Sequence, residues 1–188
     1  MFAKVPHLSF PEYLAQEQAS LIRHEYVDGQ IFAMTGASEN HNLIALAIAS
    51  RLRAHLRGSG CRVFISDMKV CIESAGQATY YPDVMVVCDP QDDDPYVKRQ
   101  PVLIVEILSP STAATDRREK LVNYAKLPTL QEYVLVAQDE IRVEAYRFAA
   151  GEWFCKSFQD LDQEVQLSSV NLSLPLQTIY EDIQLRGS

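Results

Sequence analysis

Two stretches of the sequence leave the chain little freedom in how it can fold. Tyr80 to Cys88 and Pro101 to Leu108 are each almost continuously apolar, and each is interrupted by one acid. Runs of this length, bounded by polar or proline-containing segments, read as strands buried on both faces and so as central strands of a covered sheet. In the first run Asp83 follows Tyr81-Pro82 and opens Val84-Met85-Val86-Val87; in the second Glu106 stands between Val105 and Ile107. A lone ionised carboxylate in such a place is strongly disfavoured by desolvation unless a cation or hydrogen-bond donors compensate it. A structural ion pair with arginine or lysine would satisfy either acid alone. Two acids in two neighbouring central strands, followed by a basic helix start, favour a shared site instead, and its hard oxygen donors suit magnesium or manganese better than zinc.

The remaining periodicities fill in the surroundings. Residues 8 to 24 predict a helix, with Ser9 as cap, Pro11 in the first turn, and Tyr13, Leu14, Glu17 and Leu21 at helical spacing. Glu25 to Met34 alternates around Asp28-Gly29 and predicts a hairpin. Ile44, Ile48, Leu52 and Leu56 recur every fourth position and predict a helix from Ser38 to Leu56, stopped by Gly58 and Gly60. Cys61 to Ile72 reads as one strand, in which Asp67-Met68-Lys69 alternates with apolar residues as a half-exposed strand should. The acidic run Asp89 to Pro95 reads as a solvated turn. A second helix is expected after Ser109-Pro-Ser-Thr112, capped by Thr112 or Asp116, with Leu121, Tyr124 and Ala125 buried and Pro128 ending it. Tyr133 to Ala137 and Ile141 to Phe148 predict a hairpin, Trp153 to Phe158 a further strand, and Leu176 to Ile183 a short helix. The expected fold class is mixed α/β (α+β), a central mixed sheet flanked by helices, in one domain spanning residues 1–188.

Composition narrows the function classes. The formal net charge of −8 counts against a protein that coats nucleic acid by electrostatic attraction, although an enzyme that recruits cations to a phosphate stays open. Cys61, Cys71, Cys88 and Cys155 have no C-x-x-C spacing and read as reduced core residues, with a zinc site as the lesser alternative. No segment approaches the roughly 20 apolar residues needed to span a bilayer, so a cytoplasmic protein with no membrane partner is expected.

Three strings carry a resemblance. Tyr81-Pro-Asp83, Val105-Glu-Ile-Leu-Ser-Pro-Ser-Thr112 and Asp116-x-x-x-Lys120-Leu-x-x-Tyr124 resemble the Uma family of restriction-endonuclease-like proteins, as do Glu25-x-x-Asp28-Gly29 and Asn40-His41. The resemblance covers residues 10 to 183 and implies the PD-(D/E)xK nuclease core. It further implies Asp83 and Glu106 as metal ligands for Mg²⁺ or Mn²⁺, with the backbone carbonyl of Ile107 as another. The usual lysine two residues after the glutamate is absent, because Leu108 stands there. The family pattern relocates that charge to the next helix, which makes Lys120 the candidate catalytic cation; a solvated lysine paired with Asp116 one turn back is the competing reading. Glu25 and His41 are accessory candidates, and Asp67-Met68-Lys69 is a decoy of the D-x-K motif.

Two functions follow from these residues. One is a metal-dependent endonuclease that hydrolyses DNA phosphodiester bonds, for which a homodimer is plausible because cutting both strands commonly needs two active sites. The other is a non-catalytic protein that binds nucleic acid or a partner on the same scaffold.

Overall fold

Both apolar runs supply central strands in a computed structural model that describes residues 7–34, 36–73, 77–110 and 112–184. The chain begins with α1 (Phe10–Ala19), the hairpin β1 (His24–Val27) and β2 (Gln30–Ala33), then α2 (Glu39–His55). Five short strands follow: β3 (Arg62–Ile65), β4 (Lys69–Ile72), β5 (Ala78–Tyr80), β6 (Val84–Val87) and β7 (Val97–Lys98). After the long strand β8 (Pro101–Leu108) comes a helical segment built from α3 (Ala113–Thr115), a π-helical turn (Asp116–Lys120) and α4 (Leu121–Tyr124). The rest is β9 (Glu132–Ala137), β10 (Val143–Ala149), β11 (Glu152–Phe158), the hairpin β12 (Glu164–Leu167) and β13 (Leu172–Pro175), and α5 (Leu176–Tyr180).

The larger sheet has the order β11-β10-β9-β8-β6-β3, with β8 and β9 parallel and its other neighbours antiparallel. The second sheet runs β2-β1-β5-β4-β7. Alternation along β8 then decides what each face meets. Leu103, Val105 and Ile107 pack with Ile44, Ile48 and Leu52 of α2, and with α5 and the β12–β13 hairpin. Ile104 and Leu108 pack on the opposite side with Val70, Ile72 and Tyr80 of the second sheet and with Tyr124, Leu127 and Leu130. α1 covers the far side of the second sheet through Phe10 and Tyr13, which pack on Tyr26 of β1. Mixed sheets flanked by helices, as the sequence predicts, are therefore present.

Several local expectations are corrected. Cys61 to Ile72 is two strands in different sheets, because the chain turns at Ser66, whose φ is 34°, and Asp67. Tyr80 to Cys88 also changes sheet, at Tyr81-Pro82-Asp83. Pro82 has no N–H to give a ladder and cannot continue a central strand; the break leaves Asp83 at the seam between the sheets. The first helix stops at Ala19 rather than continuing to residue 24. The acidic run is not wholly solvated: Asp92 is buried, and its carboxylate accepts the N–H groups of Arg99 and Gln100, closing the loop. Ser111 of the turn after β8 lies outside the described residues.

The four cysteines are not all reduced. Cys61 and Cys88 lie one step beyond the facing pair Arg62 and Val87 of β3 and β6, and they form a disulfide; Cys71 and Cys155 are free. Spacing along the chain could not reveal this, since the bond depends on the register of two strands 27 residues apart. Closing a loop of that length is expected to make Cys61→Ser less stable than the oxidised protein by about 3 kcal/mol. Urea unfolding measures it: dithiothreitol should bring the native protein down to the variant and leave the variant unchanged. Equal midpoints for the two untreated proteins would remove the disulfide from the account of stability.

Candidate active site

Glu106 shares its face of β8 with Ile104 and Leu108 and is 3% exposed. The helical segment crosses above it. Lys120, itself 5% exposed, places Nζ 3.2 Å from Glu106 Oε1, and the Tyr124 hydroxyl donates to the same oxygen at 2.7 Å. Lys120 Nζ also lies 3.0 Å from Glu25 Oε1 on β1 and 3.2 Å from Asp116 Oδ1. The aromatic ring of Tyr80 completes the enclosure, with its centroid 5.4 Å from Nζ. One ammonium is thus held by carboxylates from three elements far apart in sequence. Asp116, Lys120 and Tyr124 reach inward together because they recur every fourth residue along one side of the helical segment. The π-helical turn carries the first two of them, and such turns are frequent at functional sites.

Asp83 stands beside this cluster. Val84 faces Val105 across β6 and β8, so one further step of the same register sets Asp83 opposite Glu106. Its Oδ2 accepts the Ile107 N–H at 2.7 Å and lies 3.2 Å from His41 Nε2. His41 occupies the first turn of α2, where the Ser38 side chain caps the helix by accepting the His41 N–H. Asn40 donates to the Gln138 carbonyl at 3.1 Å, which ties that helix end to the chain just after β9.

Burial pushes the Glu106 carboxyl well above the usual range; Lys120 opposes the shift, while Asp83, Asp116 and Glu25 add to it. Burial also works against the Lys120 charge, but Glu106, Glu25 and Asp116 together outweigh it and hold the amine well above the ordinary lysine range. The ammonium therefore persists at any physiological pH. Burial, reinforced by the Glu106 charge, raises Tyr124 likewise, so its hydroxyl remains a donor. Asp116 Oδ1 contacts the ammonium at 3.2 Å without an aligned hydrogen bond, which leaves that oxygen under-satisfied.

The structure brings Glu25, Glu106 and Lys120 together, and sets Asp83 with His41 and the Ile107 backbone at the adjoining strand end. The competing reading of Lys120 is half corrected: it pairs with Asp116 one turn back, but it is buried rather than solvated, with Glu25 and Glu106 also in contact. Asp67 is exposed and pairs with Arg23, and Lys69 lies over the Tyr81 ring, so the D-x-K imitation stays apart from the ammonium cluster. Sequence reasoning gave Asp116 only the parts of cap and partner, and Tyr124 only that of packing. The Asp116, Lys120, Tyr124 spacing was the signal that united them.

Among the described residues, no three His, Cys, Asp or Glu side chains converge as a ready-made metal cage. Magnesium requires less, since one or two carboxylates with water and substrate phosphate commonly hold it. The oxygen donors Glu106, on β8, and Asp83, in the break just before β6, fit that requirement.

The fold is shared with a solved protein. It matches the crystal structure of "a putative nuclease belonging to DUF820" from Anabaena variabilis with a TM-score of 0.77, covering 93% of this chain and 98% of that one at 19% identity. The chain belongs to the Uma2 family, described as "Putative restriction endonuclease", whose pattern matches residues 10–177. Two proteins of Synechocystis sp. are also similar, both named "Uncharacterized protein". One is 39% identical over 183 residues, covering 96% of this chain and 95% of that protein. The other is 31% identical over 169 residues, covering 88% and 95%. Among the described residues, no helix is long and apolar enough to cross a membrane.

Proposed function

We propose that the protein is a divalent-metal-dependent deoxyribonuclease that hydrolyses phosphodiester bonds beside Asp83 and Glu106. The observation that carries this reading is Lys120, which supplies from a helix the buried cation missing at Leu108. Asp83, Glu106 and the Ile107 carbonyl would hold Mg²⁺ or Mn²⁺, which when bound polarises phosphate and acidifies water. The chain's own groups do the rest. Lys120 presents a permanent positive charge toward the oxygens on which negative charge develops. Glu25 and Asp116 keep that ammonium from swinging away, and Tyr124 fixes Glu106 through Oε1. His41 orients Asp83. The net charge of −8 favours the alternative, a non-catalytic binding protein on the same scaffold, and one experiment separates the two.

Purified protein is incubated with supercoiled DNA in Mn²⁺ or Mg²⁺, and its melting temperature is recorded with and without the ion. The nuclease reading expects nicking, together with a rise of several degrees in the native protein that is absent in Glu106→Gln, since a ligand of the folded state stabilises it by mass action. No cleavage, with equal thermal shifts in both proteins, would place the cation elsewhere and leave the binding reading.

A further inference from the structure

The row of side chains that leads out of the cluster ends on an aromatic ring in solvent. Phe32 of β2 faces Glu25 of β1, and one step beyond the facing pair Tyr26 and Thr79 sets Glu25 opposite Tyr80 of β5. Residues directly opposite in antiparallel strands share a face, with Cβ atoms about 5 Å apart. Phe32, Glu25 and Tyr80 therefore form one row across three strands. Its inner members end at Lys120: Glu25 touches the ammonium at 3.0 Å and the Tyr80 ring lies beneath it. Tyr80 is fully buried, whereas Phe32 is 49% exposed on an edge strand whose four residues are all exposed.

Packing gives no reason for a phenylalanine at this position. Among the described residues, Phe32 joins none of the three apolar clusters and stacks on no other ring. Single exposed apolar residues are common and signify nothing alone; the place of this one at the rim of a buried charge cluster does. Charge supplies the second half of the argument. A chain of net charge −8 gains little from releasing counterions of a phosphate backbone, so contacts to the bases add affinity that the backbone does not supply. An aromatic face supplies it by stacking, at about 1–3 kcal/mol per base. A nucleotide holds its base roughly one sugar away from its phosphate. Lys120 and Phe32 stand at the two ends of one row, with Glu25 between them.

We propose that Phe32 is a stacking platform for a base next to the scissile phosphate, and that the substrate is therefore single-stranded or locally opened DNA. A base inside a duplex already has both faces stacked and is closed to the ring. The inference rests on the nuclease reading and deepens it.

The test compares native protein, Phe32→Ala and Phe32→Tyr in Mn²⁺ on a single-stranded oligonucleotide, on its duplex, and on a version with abasic sites flanking the mapped cut. Native protein should prefer the single strand. Phe32→Ala should lose about ten-fold in kcat/KM on it with an unchanged melting temperature, and Phe32→Tyr should retain activity. The gap between native and Phe32→Ala should close on the abasic strand, which a purely structural role would not produce. Active native protein with an equally active Phe32→Ala, or with a gap that persists on the abasic strand, would overturn the stacking role and leave the nuclease reading standing. Absence of cleavage by native protein on all three substrates would overturn both.

Discussion

Lys120→Met is expected to abolish DNA cleavage, with a loss of at least about 100-fold, and to destabilise the fold by about 3–5 kcal/mol. The two effects share a cause. Glu25, Glu106 and Asp116 all face one ammonium, and its removal leaves three acids crowded in a place from which water is largely excluded. With the ammonium gone, the Glu106 carboxyl, which burial already holds well above the ordinary range, can relieve this only by taking up a proton. A group with a raised folded pKa contributes stability below its unfolded pKa and loses it as pH climbs through the folded one. The stability deficit of Lys120→Met should therefore be largest near pH 8 and shrink toward pH 4–5, the range of unfolded carboxyl groups. Lys126→Met is the control: it loses a hydrogen bond to Asn123 on the same helical segment, and should leave cleavage unchanged with stability within about 1 kcal/mol. Urea unfolding at several pH values, together with single-turnover cleavage, decides the matter. If Lys120→Met cleaves DNA as well as the native protein, the helix lysine is not the catalytic cation and Lys69 is the next to test.

Glu106→Gln should lose cleavage to a similar extent yet melt higher than the native protein at neutral pH, by at least about 3 °C. Glutamine retains an oxygen that can accept from Tyr124 and Lys120, while the ammonium keeps Glu25 and Asp116 as counter-charges. What disappears is a buried charge that desolvation and three neighbouring acids oppose more strongly than Lys120 supports it. The sign follows from the raised carboxyl. Below the ordinary glutamate value of about 4.3, Glu106 is protonated in both folded and unfolded protein and the variant should show no advantage. Above it, the native protein progressively loses stability until Glu106 ionises in the folded state, and the advantage grows with it. Thermal melts in metal-free buffer across this range measure the effect. A variant that melts lower at pH 7.5 would mean that the Lys120 pairing outweighs the desolvation of Glu106.

Local chemistry made part of this protein legible before any tertiary structure. Asp28 and Gly29 both take positive φ, 44° and 90°, at the hairpin that their dipeptide announces. The four-residue recurrence from Ile44 to Leu52 becomes the buried stripe of α2. Asp83 and Glu106 were conspicuous because charge inside an apolar run is costly wherever the run ends up. These features depend only on residues near one another along the chain, whereas Lys120 was reached through the family resemblance, since Leu108 stands where the strand lysine would be.

Tertiary structure decided what depends on register between distant segments. It alone split Tyr80 to Cys88 between two sheets at Pro82, joined Cys61 to Cys88, and set Asp83 opposite Glu106. It turned Asp116 from a helix cap into a wall of the site, and Tyr124 from a packing residue into the hydrogen-bond donor of Glu106. It also brought Glu25, Glu106 and Lys120 into contact from β1, β8 and the helical segment. Periodicity states which residues seek burial, but not which buried surfaces meet. That choice is made by long-range strand pairing and packing, which leave no signature within a single segment.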